Sequence, residues 1–232
     1  MSASGETTIY DVGLHNGDDS EYYLKKGYRV VGIDADATQC KLSEARFEQE
    51  IRSGQMVVLN VGVGSAEGTG EFFCNGANSR INTFVPQDVS GGEWEIRRVP
   101  VQRLSSIIRE YGSAHYVKID VELYDHLVLS DLWENGIHPS YISAESHLID
   151  VFCALVSMRY ERFKIIEGCT VSQRFSDHPI LTRGGAVIRH TFPARSSGPF
   201  GEDIPGEWFD KSACWKRLMD RGMGWLDIHA RA

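Results

Sequence analysis

The sequence lacks any apolar run that approaches the roughly 18 residues a membrane-spanning helix needs. Its first residues, MSASGETTIYDVG, also lack the basic stretch followed by an apolar stretch that marks a secretory signal. These two absences argue against a membrane protein, and they lead us to expect a cytoplasmic protein with no membrane partner.

Cysteines and basic residues are also few. Five cysteines form no CxxC pair and no zinc-binding spacing, and an odd number argues against a framework of disulfides. Lysine and arginine total 24 against 32 aspartates and glutamates, which gives a formal charge of −8. Neither the basic residues nor the aromatics gather into a stripe that could neutralise phosphates. We therefore expect reduced thiols and no nucleic-acid partner.

The chain does contain short apolar runs that alternate with helical spacings. It is 42% apolar over 232 residues, which suits one large α/β domain over residues 1–232. Residues 7–12 and 29–33 are β-rich and apolar, whereas residues 20–26 and 37–52 have helical periodicity and end near glycine. This pattern predicts a βαβα unit at the start of the chain.

The alternation continues along the chain. Residues 56–63 predict a third strand, the EFFCN segment after a glycine-rich turn predicts a hairpin-like extension, and residues 76–93 predict a loop. The later predicted strands are 97–104, 115–121, 141–144, 163–166 and 186–190, and the later predicted helices are 105–111, 125–134 and 148–159. Such alternation predicts a doubly wound, mostly parallel α/β sheet that binds its ligand beyond the carboxyl ends of the strands. A Gly/Pro-rich stretch at about 195–208 predicts a mobile or lid-like loop.

The first predicted strand ends in a turn that contains both glycine and acids. Gly13 and Gly17 lack the Cβ that would keep a nucleotide-like cofactor away from the backbone. The spacing differs from the GxGxxG of dinucleotide enzymes, and acids flank it on both sides. Carboxylates there can hold the ammonium group of S-adenosylmethionine, which has no phosphate. The cofactor contacts predicted in this turn come from Asp11, Gly13, His15, Asn16, Gly17 and Asp18, those of His15 and Asn16 through their backbone amides.

The second predicted strand ends in Asp34, which follows Asp11 by 23 residues. A carboxylate at this place can accept hydrogen bonds from both ribose hydroxyls of the cofactor. Its neighbour Asp36 allows two interpretations, because a cap at the start of the next helix explains it equally well.

Four segments resemble the FkbM family of methyltransferases: IYDVGLHNG, VVGIDADA, VPVQRLSSII and YVKIDVELYDHLVL. The resemblance runs from about residue 8 to residue 168. It implies the class I Rossmann-like methyltransferase fold, S-adenosylmethionine as cofactor, and methyl transfer that is usually directed to a hydroxyl of a small molecule. The family has a small residue after the glutamate of KIDVE, where this chain has Leu123, so the local turn and the acceptor pocket are expected to differ.

Methyl transfer needs donor and acceptor held in line, and a hydroxyl acceptor also needs a base. Asp120 and Glu122 follow one predicted strand, and Glu145 and His147 follow another, so both pairs should meet at one edge of the sheet. A spacing of two residues puts the members of each pair on the same side. We predict these four as catalytic residues, with Asp120 also contacting the cofactor.

His147 has two further interpretations. As a general base, oriented by Glu145 or Asp120, it has a suitable ordinary pKa of about 6.5; alternatively, it caps the helix that follows. The four predicted catalytic residues could also bind a divalent metal, although our prediction includes none.

Other polar residues receive weaker predictions. Lys118 interrupts a strand suited to burial, so we expect it to pair with a carboxylate. Asn78, Ser79 and Arg80 follow the extension and could contact substrate or the cofactor carboxylate.

The leading functional prediction is O-methylation of a small molecule in natural-product biosynthesis. One alternative is N-methylation of a similar small molecule or a peptide-derived intermediate, because the donor site would look the same. A second alternative is a non-catalytic cofactor-binding domain, which Leu123 favours. An NAD-dependent or nucleotide-sugar oxidoreductase would need the GxGxxG that the turn lacks.

Overall fold

A computed structural model describes residues 7–85, 93–222 and 224–232. The predicted loop over 76–93 and the predicted domain over 1–232 therefore lie partly outside the described residues. The strands are β1 (Thr8–Val12), β2 (Arg29–Asp34), β3 (Met56–Asn60), β4 (Gly62–Val63), β5 (Gly68–Asn75), β6 (Trp94–Gln102), β7 (Ala114–Ile119), β8 (Tyr141–Ser146), β9 (Arg162–Glu167), β10 (His178–Leu181), β11 (Val187–His190) and β12 (Leu226–Arg231). The helices are α1 (Asp18–Lys25), α2 (Ala37–Arg46), α3 (Glu48–Arg52), α4 (Leu104–Tyr111), α5 (Asp125–Glu134), α6 (Asp150–Ser157), α7 (Val171–Arg174) and α8 (Lys211–Arg221). None of the helices described has both the length and the apolar character needed to cross a bilayer.

Seven strands form the central sheet in the order β3-β2-β1-β7-β8-β12-β9. All pair in parallel except β12, which runs antiparallel to both of its neighbours. The predicted doubly wound, mostly parallel α/β sheet is thus confirmed.

Alternation of side chains along β1 explains why helices cover both faces of this sheet. Tyr10 and Val12 belong to one core cluster, which α4, α5, α6 and α8 complete with residues such as Leu129. Ile9, which precedes Tyr10 in sequence, belongs to the cluster on the opposite face with Tyr23 of α1. Successive residues of a strand point to opposite faces, so an apolar strand supports two cores at once.

Two predicted elements are divided in the structure. The helix predicted over 37–52 breaks at Phe47 into α2 and α3. The strand predicted over 56–63 splits after Asn60, because β4 leaves the central sheet and joins a second sheet of order β4-β6-β5. In that sheet β5 pairs antiparallel with β6, which confirms the extension predicted from EFFCN.

The end of the chain contains the main error of the sequence prediction. The strand predicted over 186–190 is β11, which pairs with β10 in a separate hairpin rather than in the central sheet. Its expected place belongs to β12, which the sequence analysis missed along with α8. In β12 every residue from Leu226 to Ala230 is buried, Asp227 and His229 included. The two polar residues interrupt the apolar run that would have identified the strand.

The loop at about 195–208 has one regular feature, the short 3-10 turn Gly201–Asp203. Phe200 is buried and stacks on the ring of Tyr116 in β7, with ring centroids 4.2 Å apart. Asp203 pairs with Lys26 at 2.5 Å. These contacts anchor the loop on the sheet, so they do not fit the predicted mobile lid.

Candidate active site

A cavity of about 410 Å³ lies at the carboxyl ends of the central parallel strands. Its wall includes Gly13 after β1, Asp34 at the end of β2, Asp120 after β7 and Glu145 in β8. This volume is typical of a small-molecule site, and the position is the one that doubly wound sheets use for ligands.

Gly13 is required at its position because of the neighbouring strand. Its φ is 83°, and a Cβ there would lie 1.8 Å from the backbone oxygen of Asp120. The residue after β1 can therefore lie against the end of β7 only if it has no side chain. We predicted that Gly13 lets the cofactor come close to the backbone. The structure shows that it lets the ends of two strands come close to each other, and Gly13 also lines the cavity.

Asp34 lies in the cavity wall as predicted. Its Oδ2 accepts a hydrogen bond from the His15 amide at 2.7 Å, and its Oδ1 accepts one from the Asp36 amide at 2.8 Å. Burial raises the pKa of Asp34 to about 6, and the two amide donors only partly oppose this shift. Each oxygen can accept a further bond. Asp36 caps α2 by accepting from the Thr38 amide at 2.8 Å, which confirms the capping interpretation.

Asp11 lies beneath the cavity. It is completely buried, accepts a hydrogen bond from Ser20 at 2.7 Å and lies 3.3 Å from the ammonium of Lys118. Lys118 also lies 3.3 Å from Asp120 and donates to the Gly13 carbonyl at 3.0 Å. The predicted pairing of Lys118 is therefore observed. Asp11 does not line the cavity, yet its Oδ1 has no hydrogen-bond partner among the described residues, so the cofactor contact predicted for Asp11 stays a prediction.

The ion pairs around Lys118 outweigh its burial. Burial alone would lower the pKa of this lysine, but the carboxylates of Asp11, Asp120 and Asp19 raise it well above its ordinary value. Burial also raises the pKa of Asp11 to about 6, against the opposing effect of Lys118. The charged lysine fixes the turn after β1 to the end of β7.

The rest of the predicted turn contacts α2 and the break that follows it. Arg46 donates to the Asn16 carbonyl at 3.0 Å and to the Asp18 carboxylate at 2.8 Å. A Cβ on Gly17 would lie 2.3 Å from the ring of Phe47. Among the described residues of the turn, the cavity wall includes Gly13 and His15 but not Asn16, Gly17 or Asp18. The cofactor contacts predicted for these three stay predictions.

The second sheet forms an apolar side of the cavity. Phe72 of β5 and Phe84 lie there with their ring centroids 5.0 Å apart. The loop residues Asn78, Ser79 and Arg80, predicted as possible contacts, also line the cavity. Sequence reasoning missed both phenylalanines as site residues, although one belongs to the EFFCN segment that it had singled out.

The structure brings together three of the predicted catalytic residues in what we call the carboxylate–histidine cluster: Glu122, Glu145 and His147. The Nε2 atom of His147 lies 3.3 Å from Glu145 Oε2 and 4.0 Å from Glu122 Oε2. All three line the cavity, as does Asp120. The predicted capping role of His147 is not observed, because α6 begins after Ile149.

Burial shapes the electrostatics of this cluster. It raises the pKa of Glu122 to about 8 and that of Glu145 well above its ordinary value, and nearby Asp120 adds to both shifts. A carboxyl group in these surroundings binds a proton or a cation more readily than an exposed one. Perturbed carboxyl groups beside a cavity are typical of functional sites.

Strained backbone holds Glu122 in place. Glu122 and Leu123 have φ values of 50° and 69°, in the left-handed region that favours glycine. Such residues cost about 1 kcal/mol or more each and persist where the surrounding structure requires them. The small residue that the family has after this glutamate is suited to a left-handed backbone. In this chain Leu123 occupies that position and adopts the same backbone conformation.

The end of the chain supplies cavity residues that the sequence analysis missed. Asp227 of β12 is 2% exposed and lines the cavity, and its Oδ1 has no hydrogen-bond partner among the described residues. Arg195, Ser196 and Ser197 line the cavity from the anchored loop, where Ser196 donates to Asp19. An acid inside an otherwise apolar strand was the available signal for Asp227.

The cavity fits S-adenosylmethionine in three respects. Asp34 offers the carboxylate that a ribose requires, and the apolar side formed by Phe72 and Phe84 suits a purine ring. Gln39 Oε1 is also buried in this wall without a partner among the described residues, which leaves it free to accept from a ligand. Asp34 and Gln39 would hold the adenosine, while Gly13 and Asp120 would border the methionine end.

Comparison with solved structures gives weak similarities at the level of the fold. Precorrin 8W decarboxylase of Methanobacterium thermoautotrophicum is 8% identical, with a TM-score of 0.42, over 98% of this chain and 82% of that one. Precorrin-6y C5,15-methyltransferase of Geobacter metallireducens is 6% identical, with a TM-score of 0.43, over 97% and 78%. A SAM-dependent O-methyltransferase of Thermotoga maritima is 7% identical, with a TM-score of 0.42, over 98% and 60%.

Among curated proteins, none matches the sequence. The model of the methyltransferase FkbM domain, however, matches residues 11–157, which include β2, β7, β8 and most of the cavity wall. The chain therefore belongs to the FkbM methyltransferase family, and it is an enzyme that uses S-adenosylmethionine to methylate an acceptor.

Proposed function

We propose that the acceptor is a hydroxyl group of a small molecule, as in natural-product biosynthesis. The observation that supports this most directly is the carboxylate–histidine cluster, with His147 Nε2 3.3 Å from Glu145 Oε2 in the cavity wall. A neutral amine can attack with its free electron pair, whereas a hydroxyl acceptor requires groups that remove its proton or stabilise the oxygen left behind. The cluster supplies such groups at the ends of β7 and β8, whereas Asp34 lies at the end of β2, on the far side of β1.

S-adenosylmethionine supplies a methyl carbon on a positively charged sulfur. The acceptor oxygen bonds to this carbon as the carbon–sulfur bond breaks; the electron pair stays on sulfur, and the hydroxyl proton leaves. The residues of this chain hold the two reactants in line and accept the hydroxyl proton or promote its release. Asp120 and the cluster all line the cavity, so Asp120 would position the reacting groups while the cluster would take up the hydroxyl proton or stabilise the oxygen.

The charge of the cavity supports a small acceptor without phosphates. Five acidic residues line it against two arginines, so a nucleic-acid backbone would meet more acidic than basic groups: Asp34, Asp120, Glu122, Glu145 and Asp227 against Arg80 and Arg195. Proteins that bind nucleic acid neutralise phosphates with lysine and arginine. The absence of a nucleic-acid partner and a cytoplasmic location stay predictions from the sequence.

The proposal is tested by supplying the enzyme with S-adenosylmethionine and matched acceptors: hydroxylated small molecules, their amino counterparts and a short RNA. We expect mass spectrometry to find one added methyl group on the hydroxylated compounds. We also expect His147→Asn to reduce turnover at least about tenfold while the affinity for S-adenosylhomocysteine stays unchanged. Methylation of the amino compounds or of RNA instead would contradict the proposal, and the amino result would favour the N-methyltransferase alternative.

A further inference from the structure

Three carboxyl groups, those of Glu122, Glu145 and Asp227, lie in the cavity wall, where burial disfavours their charged forms. Among the described residues, no lysine or arginine forms an ion pair with Glu122, Glu145 or Asp227, whereas Lys118 is shared by Asp11, Asp19 and Asp120. Carboxylates gathered in a partly buried site need a positive partner to remain ionised together. This site therefore suits a cationic ligand.

Two buried oxygens point to the same requirement. Glu145 is 6% exposed and its Oε2 accepts no hydrogen bond within the described structure; His147 Nε2 lies 3.3 Å away but does not donate to it. Asp227, on the antiparallel strand beside Glu145, is 2% exposed, and its Oδ1 also has no partner there. Both residues line the cavity. Buried polar atoms without a partner are rare in folded proteins, and a bound ion or other ligand supplies the partner in many of these cases.

We propose that Glu122, Glu145 and His147 bind a divalent metal cation. Their ligand atoms all lie within 4.8 Å of one another, and His147 Nε2 is 3.3 Å and 4.0 Å from the nearest glutamate oxygens. Ligand atoms about 2.1 Å from one ion are about 3 Å apart when adjacent and about 4.2 Å apart when opposite. The two distances from His147 fall within this range, so one ion can bind all three residues with small side-chain rotations.

The ligand types favour a hard cation. Two carboxylates and one imidazole are typical of Mn²⁺ or Mg²⁺ rather than of a thiolate-binding metal. An octahedral ion held by three protein atoms keeps three positions for water or substrate oxygen. Asp227 lies opposite Glu145 on the neighbouring antiparallel strand and lines the same cavity, so it is placed to hydrogen-bond a water on such an ion.

This inference rests on the proposed function, and it specifies how the cluster serves a hydroxyl acceptor. A hydroxyl bound beside a divalent cation loses its proton to water more readily than a free one. His147 then acts as a metal ligand, and the requirement for a general base is reduced.

The test is binding of Mn²⁺ by the full chain, measured by electron paramagnetic resonance and calorimetry with S-adenosylhomocysteine present and no acceptor. We expect one ion per chain, and at least about tenfold weaker binding in each of Glu122→Gln, Glu145→Gln and His147→Asn. Because Glu145 is buried, the less buried His147 and Glu122 variants keep the test informative if Glu145→Gln fails to fold. His126→Gln is the matched control, since His126 lies 3.2 Å from Asp150 away from the cavity.

Unchanged Mn²⁺ binding in the folded Glu122 and His147 variants, or no binding by the native chain, would overturn the metal site. Hydroxyl methylation that persists undiminished in EDTA would also overturn it and would leave the proposed function standing. Conversely, one bound Mn²⁺ that the variants lose, combined with methylation of amines only, would support the site and reject the hydroxyl acceptor.

Discussion

Replacing Asp34 tests whether the carboxylate at the end of β2 holds the cofactor ribose. Each of its oxygens already accepts one backbone amide, from His15 at 2.7 Å and from Asp36 at 2.8 Å, and each can accept one ribose hydroxyl as well. Hydrogen bonds to a charged group contribute about 1.5–3 kcal/mol. Because water refills part of the gap in Asp34→Ala, we expect a total loss in that range, or about 10- to 150-fold in Kd.

Calorimetric titration with S-adenosylhomocysteine measures this loss without turnover. Asp34→Asn keeps one acceptor oxygen but loses the charge, so its affinity should fall between those of the native protein and Asp34→Ala. Asp36→Ser is the matched control, because serine can still cap α2 and Asp36 lies outside the described cavity wall. We expect that variant to bind as the native protein does.

A 2′-deoxy analogue of S-adenosylhomocysteine separates the ribose contact from general loosening of the turn. The native protein should bind the analogue more weakly than the parent compound, whereas Asp34→Ala should bind the two alike, since the partner of the missing hydroxyl is gone. A folded Asp34→Ala that keeps native affinity, or that still distinguishes the two compounds as the native protein does, would refute the assignment.

Two other predictions concern the buried charges. Lys118→Met should destabilise the fold by about 3–5 kcal/mol in urea unfolding at pH 7, because Asp11 and Asp120 lose their partner; native stability of the variant would show that the ion pairs do not hold the turn. The affinity for S-adenosylhomocysteine should decrease as pH falls through about 6, the raised pKa of Asp34, and Asp34→Asn should lack this step. The same raised pKa gives the cofactor-free fold a stability contribution that is complete below about pH 4 and is lost as pH rises through 6. A native affinity for S-adenosylhomocysteine that is independent of pH from about 5 to 7 would contradict the assignment of Asp34.

The sequence predicts the positions of residues at the strand ends better than it predicts what those residues contact. Asp34 and Gly13 lie where the strand–turn pattern places them, because a parallel sheet fixes the ends of its strands. Asp11 is different, because the local sequence pattern of a carboxylate next to a glycine turn is the same whether the carboxylate contacts a ligand or a buried lysine. Only the pairing of β1 with β7 sets Lys118 beside Asp11, and no local pattern contains that pairing.

The cluster was predictable for a similar reason, since Glu122, Glu145 and His147 lie at or after the ends of neighbouring strands. The left-handed backbone of Glu122 was not predictable, because a glutamate followed by Leu123 does not signal such a turn. Asp227 was also missed, because β12 joins the sheet from the far end of the chain and its polar residues hide the strand.

The cavity wall contains residues both from the segment that matches the family and from the segment that follows it. The family match covers residues 11–157, which contain Asp34, Asp120 and the carboxylate–histidine cluster. The rest of the wall comes from residues outside that match, among them Arg195 in the anchored loop and Asp227 in β12. Methyl transfer needs the same donor geometry whatever the acceptor, whereas recognition of the acceptor depends on the groups that surround it. We therefore expect the last 40 or so residues to specify the acceptor, because the loop there is held against Tyr116 by the buried ring of Phe200 and cannot reshape itself without giving up that stacking.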